Sequence, residues 1–490
     1  MLKGLSQTVL RNSALAFAAQ LALKVLSFAF TVLIVRRLGN EAYGQYAAIG
    51  AFVLVFLFLS DLGLSVFAVR EVARWRDVDG GQDKINQLYG NMLSLRLTLA
   101  IISGLITVAA AALTGRPILF VGAVALYSLG ILMYGVQGTS NAFLGGYERI
   151  GRSSRAQVIN QIAFMVLGGL ALWWGLGFYG LIFATLIGTA ILTYVCWAGV
   201  RELGVKPSRP NIADWPGLIK ASLPFGIVTF ALGLSYRFDT VLLSVTRSDA
   251  EVAWYNVAYN LIFSCVMLSN VVNTALYPSL SRQSVAGAHV LPAIYERALR
   301  YLMMLAIPLS IGIFVLSPDL IPFLFKAENA PAALALQILI WVVPFMYASE
   351  FLGYIVLIAG QEKRVARSVV ISTAFNVLVN LVVVPRYGYL AAAMMTVLTE
   401  MILVGQYFYI LRAQLRNFHW GYVLLRPLLA ALGMGLALWL SQGLPLWIHA
   451  SIGALTYVAF LVALGVLGKD ELHFVRNIRR PSPVTEPNAL

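Results

Sequence analysis

Charged side chains inside long apolar stretches are the residues of this sequence most suited to chemistry. A charge at mid-bilayer depth costs about 2.5–3.5 kcal/mol on the insertion scale, so each must face water, a partner or a ligand. Three are cations and four are carboxylic acids: Lys24, Arg96, Arg237, Asp61, Asp239, Glu350 and Glu400. Their presence predicts a polar site within the apolar part of the chain.

The three cations suit a diphosphate ligand. Arginine can bind phosphate oxygens through two nitrogen atoms at once, and lysine presents a compact charge. We therefore predict that Lys24, Arg96 and Arg237 bind an anionic substrate. Internal pairing is the alternative, in which Arg237 pairs with Asp239. Asp61 then pairs with either Lys24 or Arg96.

The acids are candidates for ion coupling or gating. Glu350 and Glu400 each lie alone in an apolar stretch, where a buried carboxyl group can carry a coupling proton. A polar contact between helices is the alternative for both. Asp61 precedes Leu62-Gly63 and is either a structural charge or a coupling group. Asp239 is a further coupling or gating candidate.

No residue pattern predicts catalysis, a metal or a cofactor. The sequence lacks GxxxxGK[ST], and its two cysteines and four histidines have no metal-ligand spacing. A membrane enzyme such as a polymerase or acyltransferase would need a large outer loop or a mid-membrane histidine. A scaffold would have no reason to keep charges at membrane depth. We predict that the protein is not an enzyme.

The composition shows which elements must position these side chains. Hydrophobic residues form 60% of the 490-residue chain, and charged residues form 11%. Soluble domains have about 25% charged residues, so this composition indicates a membrane protein. Within lipid, only helices and closed barrels satisfy the hydrogen bonds of their own backbone groups. A helix of about 20 apolar residues crosses a bilayer. We predict an all-α membrane protein of about 14 transmembrane helices, at approximately 12–36, 42–72, 85–113, 117–144, 155–175, 178–200, 217–246, 251–280, 292–316, 332–359, 365–385, 388–411, 421–442 and 445–467.

Lysine and arginine residues predict the orientation of these helices. With the N-terminus inside, the inner links and termini hold 26 basic residues and the outer links hold six. This split follows the positive-inside rule and predicts a multi-pass protein of the bacterial inner membrane with both termini cytoplasmic. The net charge of +14 then reflects topology and contact with anionic membrane lipid, not binding to nucleic acid.

The chain contains two related halves. Gly146-Tyr147-Glu148-Arg149 matches Gly360-Gln361-Glu362-Lys363 at an offset of 214, and Gln45-Tyr46 matches Trp254-Tyr255 at an offset of 209. Because each half has an even number of helices, six, both halves have the same orientation in the membrane. Two such lobes around a central cavity can rock against each other and open the cavity to either side of the membrane in turn. The predicted divisions are an N-terminal lobe of helices 1–6 at 1–205, a C-terminal lobe of helices 7–12 at 206–412, helices 13–14 at 413–468 and a cytoplasmic tail at 469–490.

Short motifs in a specific order resemble those of the Wzx-type oligosaccharide flippases. These form the polysaccharide-exporting branch of the multidrug/oligosaccharidyl-lipid/polysaccharide flippase superfamily. The resemblance covers the chain through helix 12 and implies two six-helix lobes around a central cavity plus two extra C-terminal helices. The matching segments are Arg37-Leu38-Gly39, Tyr43-Gly44-Gln45-Tyr46, Asp61-Leu62-Gly63-Leu64, Arg70-Glu71, Arg237-Phe238-Asp239, Ala275-Leu276-Tyr277-Pro278-Ser279-Leu280-Ser281-Arg282, Ala330-Pro331-Ala332 and the link containing Gly360.

The resemblance implies a flippase for surface polysaccharide biosynthesis. Such a protein moves an undecaprenyl-diphosphate-linked oligosaccharide from the cytoplasmic to the periplasmic leaflet by alternating access. Lys24 and Arg237 lie on helices 1 and 7, where the family uses cations to contact substrate, and Arg96 on helix 3 fits this pattern less well. Polysaccharide polymerase machinery is a candidate further partner. A cation-coupled multidrug exporter of the same superfamily is the alternative, although it would favour an acidic cavity.

Overall fold

The computed structural model describes residues 2–286, 291–415 and 418–466. Every regular element in these ranges is helical. The predicted tail at 469–490 lies outside the described residues. The helices are α1 Leu2–Asp61, α2 Leu64–Trp75, α3 Gly81–Leu113, α4 Ile118–Gly146, α5 Ile150–Trp173, α6 Gly177–Glu202, α7 Trp215–Thr246, α8 Asp249–Ala286, α9 Leu291–Phe325, α10 Ala332–Leu339, α11 Val342–Ile358, α12 Glu362–Ile410, α13 Arg426–Leu440 and α14 Leu446–Ala463. Short 3-10 turns at Ile212–Asp214 and Ala327–Asn329 and a π-helical turn at Gly421–Leu425 complete the set.

Twelve helical stretches within the described residues are long and apolar enough to cross a membrane. Two of them, Ala22–Trp75 with 54 residues and Glu362–Ile410 with 49, are too long for one crossing. A 49-residue helix would reach about 74 Å, more than twice the hydrocarbon thickness of about 30 Å. Non-helical dihedral angles at Gly39 (φ 75°) and Gly388 (φ 66°) divide these stretches where the sequence predicts links. The predicted all-α, multi-pass fold is confirmed.

The second predicted helix, 42–72, is broken near its C-terminal end. Leu62 (φ 43°) and Gly63 (φ 78°) are both left-handed, so α1 ends at Asp61 and α2 begins at Leu64. A Cβ atom on Gly63 would overlap the carbonyl oxygen of Ser222 and the backbone nitrogen of Gly226. The junction between α1 and α2 therefore packs backbone against backbone on α7, which only glycine permits at this position.

Replacing Gly63 by alanine should lower the free energy of unfolding by more than about 2 kcal/mol. A left-handed L-residue costs about 1–2 kcal/mol, and the overlap with α7 adds to this strain. Gly80→Ala is the matched control, because Gly80 has φ 71° and a Cβ atom added there would meet no other atom within 4 Å. Thermal unfolding of the purified variants measures the difference. Equal stability of the two variants would contradict backbone packing at the junction.

The tenth predicted helix, 332–359, is two helices separated at residues 340–341. Pro344 in the first turn of α11 has no N–H and cannot donate to the carbonyl of Ile340. That carbonyl accepts instead from the Val343 N–H, over 3.1 Å, and from the hydroxyl of Ser310 on α9, also over 3.1 Å. The predicted helix 421–442 also begins differently, as a π-helical turn followed by α13 with Pro427 at its start. Proline therefore accounts for both departures.

The chain divides into two compact units. The first comprises Met1–Ser264, Pro322–Ala335 and Ala366–Thr399, and the second comprises Cys265–Ile321, Leu336–Val365 and Glu400–Leu490. In the first unit α3 packs on α4, and α4 and α5 pack on α6. Its core includes Leu64, Ile85, Tyr89, Phe143 and Cys196, each at most 1% exposed. In the second unit α13 packs on α14. The division into lobes at 205 and 412 stays a prediction.

Candidate functional site

Arg96 and Asp61 form an ion pair in the first unit. Arg96 on α3 is fully buried, and Asp61 at the end of α1 is 6% exposed. The Ser65 hydroxyl donates to Asp61 Oδ1 over 2.8 Å and accepts from Arg96 Nη2 over 3.1 Å. A Cβ atom on Gly138 would lie 3.0 Å from the guanidinium nitrogens, so α4 closes against this side chain. The geometry favours internal pairing for Arg96, the alternative that the sequence left open.

Asp239 on α7 is 2% exposed and is held by neutral groups. Its carboxylate accepts hydrogen bonds from the Tyr255 hydroxyl (2.9 Å), the Asn380 amide (2.7 Å) and the Thr396 hydroxyl (3.1 Å). Within residues 2–286, 291–415 and 418–466, no lysine or arginine nitrogen lies within ion-pair distance of it, so the pair with Arg237 is not formed. A carboxylate among hydroxyl and amide oxygens can hold a proton or a small cation.

Lys24 and Arg237 lie in spanning helices of the first unit, and neither has an acidic partner among the residues that the structure describes. Lys24 on α1 is exposed, and Arg237 on α7 is half-buried. Neither has a carboxylate of the described residues within ion-pair distance. Both cations keep their charge available for an anionic ligand, and their substrate role stays a prediction.

Glu350 on α11 and Glu400 on α12 are brought together in the second unit. They are close enough to repel each other electrostatically. The Ser269 hydroxyl donates to Glu350 over 2.6 Å, and the Ser349 hydroxyl donates to Glu400 over 2.9 Å. The sequence placed each acid alone in its own helix, whereas the structure makes them neighbours. The contact between Ser349, which precedes Glu350, and Glu400 joins α11 to α12 at this point.

A family model described as polysaccharide biosynthesis protein matches residues 9–284, more than half of the chain. The chain belongs to this polysaccharide biosynthesis protein family. A second model, described as MatE, matches residues 224–382, a segment that contains Arg237, Asp239 and Glu350.

Two curated relatives of this family member are named as flippases. The probable low-salt glycan biosynthesis flippase Agl15 of Haloferax volcanii is 22% identical over 274 residues, which cover 56% of this chain and 57% of that protein. The lipid II flippase MurJ of Bacillus subtilis is 21% identical over 290 residues, which cover 52% of this chain and 53% of that protein. The chain thus spans about half the length of the curated relatives it matches.

Solved structures share the fold of this family member. A structure of the lipid II flippase MurJ in an inward closed conformation matches with a TM-score of 0.78 at 17% identity, covering 95% of this chain and all of that chain. An inward-facing multidrug resistance MATE family transporter of the MOP superfamily matches with a TM-score of 0.62 at 15% identity, covering 81% and 94%. With the family models, these matches confirm the resemblance to the superfamily; the narrower Wzx assignment stays a prediction.

One end of the first unit is joined by a network of polar contacts. Arg36 Nε donates to the carbonyl of Leu324 over 2.6 Å, and Lys326 Nζ donates to the carbonyl of Arg36 over 2.8 Å. The Asn40 amide donates to the carbonyl of Glu328 over 2.7 Å. These residues all belong to links that the charge distribution predicts on the outer side. These hydrogen bonds hold the segment of α1 around the break at Gly39 against the end of α9 and the residues that follow it.

Asp249 is the centre of a second set of contacts among the predicted outer links. Its carboxylate lies 2.6 Å from Arg116 Nη1 and accepts from the Gln45 amide over 3.0 Å. A Cβ atom on Gly44 would overlap the carbonyl oxygen of Asp249. The start of α8 is therefore held against α1 by charge and by direct backbone packing.

The sequence interpretation missed the neutral residues around Asp239. It counted charges, whereas Tyr255, Asn380 and Thr396 carry none. Two signals were present in the sequence. Tyr255 belongs to an anchor of the internal repeat, and Asn380 follows Asn376 by one helical turn within an apolar helix. Polar residues at such spacing in a spanning helix indicate a polar face.

Proposed function

We propose that this protein moves a polyprenyl-diphosphate-linked oligosaccharide across the bacterial inner membrane by alternating access, for surface polysaccharide biosynthesis. The observation that carries the proposal is the pair of cations, Lys24 and Arg237, which lie in spanning helices without a carboxylate partner among the described residues. The printed names of the relatives, a glycan biosynthesis flippase and a lipid II flippase, support a cargo of this class.

Lys24 supplies the first contact to the diphosphate in this proposal. Its side chain is exposed, and a lysine facing lipid at mid-bilayer depth would cost about 2.5–3.5 kcal/mol. That cost is avoided where the ammonium group faces an aqueous cavity. A compact ammonium group there attracts the diphosphate of an incoming lipid-linked sugar.

Arg237 supplies the second contact. It is half-buried, and the Asp239 carboxylate near it in sequence accepts from neutral donors. A guanidinium group can bind two phosphate oxygens at once. Lys24 and Arg237 together therefore offer both a point charge and a bidentate group to the diphosphate, while the polyprenyl tail stays in lipid.

The polar network of the outer links supports a state that is closed on the periplasmic side. The orientation in this proposal is that of the positive-inside rule, with both termini in the cytoplasm. Arg36, Lys326 and Asp249 then close the outer end, and cargo enters from the cytoplasmic leaflet. Rocking of the lobes, at 1–205 and 206–412, would break these contacts and release cargo outward.

Complementation of a flippase-null strain tests the proposal. We expect Lys24→Ala and Arg237→Ala each to lower surface polysaccharide export about tenfold or more, because a charge-assisted hydrogen bond contributes about 1.5–3 kcal/mol. Lys24→Arg and Arg237→Lys should recover part of the loss. Arg155→Ala is the matched control, since Arg155 is an exposed cation near the start of α5. Normal export by both alanine variants at equal expression would remove the two cations from the mechanism.

A cation-coupled multidrug exporter is the second candidate, favoured by the MatE match over residues 224–382. Asp239 lies in that segment and could hold the coupling cation. Drug susceptibility of a deletion strain separates the two functions. Unchanged susceptibility with lost surface polysaccharide supports the flippase. Raised susceptibility with normal polysaccharide would support the exporter instead.

A further inference from the structure

A cavity of about 520 Å³ lies in the first unit, where the end of α2, the start of α3 and the start of α7 meet. Its lining combines apolar residues, among them Phe67, Leu88 and Leu218, with charged residues. The links beside it, 76–80 and 203–214, are ones that the distribution of lysine and arginine along the chain predicts on the cytoplasmic surface. The cavity therefore belongs to the zone where lipid headgroups lie, apart from the cations at membrane depth.

Two carboxylates in this cavity accept hydrogen bonds from neutral donors. Glu71 on α2 accepts from the Trp75 indole nitrogen over 3.2 Å. Asp214 before α7 accepts from the Asn91 amide over 3.0 Å. Across the part of the chain that the structure describes, no lysine or arginine nitrogen lies within ion-pair distance of either carboxylate. Both are half-buried, so a cation there would be partly shielded from water.

Lys84 adds a positive charge to the same cavity. Its ammonium nitrogen lies 3.7 Å from the centre of the Trp75 ring, a cation–π contact. No described carboxylate lies within ion-pair distance of it. The cavity thus offers two negative groups and one positive group beside apolar side chains. This charge pattern is complementary to a zwitterion that carries an ammonium group next to a phosphate.

We propose that the cavity binds the headgroup of an ammonium-bearing phospholipid, of the phosphatidylethanolamine class. The ammonium group donates hydrogen bonds to Glu71 and Asp214, and the phosphate pairs with Lys84. The apolar residues of the lining contact the glycerol and the first acyl carbons. A trimethylammonium headgroup has no N–H to donate, so the cavity discriminates against phosphatidylcholine.

Native mass spectrometry of the purified full-length protein tests this assignment. The protein is titrated with phosphatidylethanolamine and phosphatidylcholine of identical acyl chains. We expect about tenfold tighter binding of phosphatidylethanolamine, the effect of two partly exposed charge-assisted hydrogen bonds. Glu71→Gln combined with Asp214→Asn should abolish the preference, and each single variant should reduce it. Asp83→Asn is the matched control, because Asp83 is an exposed acid in the first turn of α3 that does not line the cavity.

Any one of three results would overturn this assignment. The first is equal binding of the two lipids by the unaltered protein, which needs no variant to fold. The second is a preference that survives in the double variant and in both single variants. The third is tighter binding of glucosamine 1-phosphate than of phosphatidylethanolamine in the same titration, which would assign the cavity to a sugar phosphate.

Discussion

Replacing Arg96 by methionine should lower the free energy of unfolding by about 3–5 kcal/mol, because it leaves the Asp61 carboxylate buried without its cation. Arg96 is fully buried and Asp61 nearly so, which removes the screening that weakens surface pairs. Ser65 alone cannot replace the lost charge. Thermal or denaturant unfolding of the purified variant measures the effect, together with its yield from membranes.

The double variant Arg96→Met with Asp61→Leu should recover most of that loss, since apolar replacement of both partners removes the buried charge. Arg152→Met is the matched control. Arg152 pairs with Glu202, but their side chains are 34% and 65% exposed, so its loss should change stability by less than about 1 kcal/mol. If Arg96→Met were as stable as Arg152→Met yet failed to export, Arg96 would be a substrate contact instead.

We propose that Asp239 couples transport to an ion gradient, so Asp239→Asn should abolish stimulation by that gradient while leaving the fold intact. An asparagine side chain keeps the size of aspartate and one acceptor oxygen, and the hydroxyl groups of Tyr255 and Thr396 can rotate to accept from its amide. It carries no charge for a proton or cation. A unit charge moving through 100 mV supplies about 2.3 kcal/mol, so the stimulation at stake is about fiftyfold.

Proteoliposomes with an imposed gradient measure this stimulation. Asp79→Asn is the control, because Asp79 is an exposed acid in a link. It should respond to the gradient like the unaltered protein. Full stimulation of Asp239→Asn would exclude this residue as the coupling group and leave Glu350 and Glu400 as the coupling candidates. Loss of both stimulation and folding would be recognised by size-exclusion chromatography, and Tyr255→Phe then provides a milder change at the same carboxylate.

The helical fold was predictable because the bilayer leaves the chain few alternatives. The spanning helices could be predicted from apolar runs of sufficient length, and the links at Gly39 and Gly388 from the positions of these glycines. The break at Leu62-Gly63 could not. It depends on the α7 backbone at Gly226, far away in the chain, which no local pattern reveals. The break at residues 340–341 follows from Pro344 within the predicted helix 332–359, a feature of the local sequence.

The candidate site was predictable in its charges but not in its pairings. The sequence left Asp61 a choice between Lys24 and Arg96, and only the packing of α3 and α4 around Arg96 decided it. Pairing of Arg237 with Asp239 was equally reasonable. The two are near neighbours on one helix, yet Asp239 is buried among neutral donors and Arg237 is not. Burial of a side chain depends on the helices around it, which its own helix does not encode.

The hydrogen bond from Ser310 to the interrupted helix has a consequence for conformational change. The Ile340 carbonyl accepts from the Val343 N–H and from the Ser310 hydroxyl, each over 3.1 Å. The first contact satisfies the carbonyl within its own segment, and the second connects that segment to α9. Separating the two would lose one hydrogen bond, worth about 0.5–1.5 kcal/mol, so we expect the turn at residues 340–341 and α9 to move together.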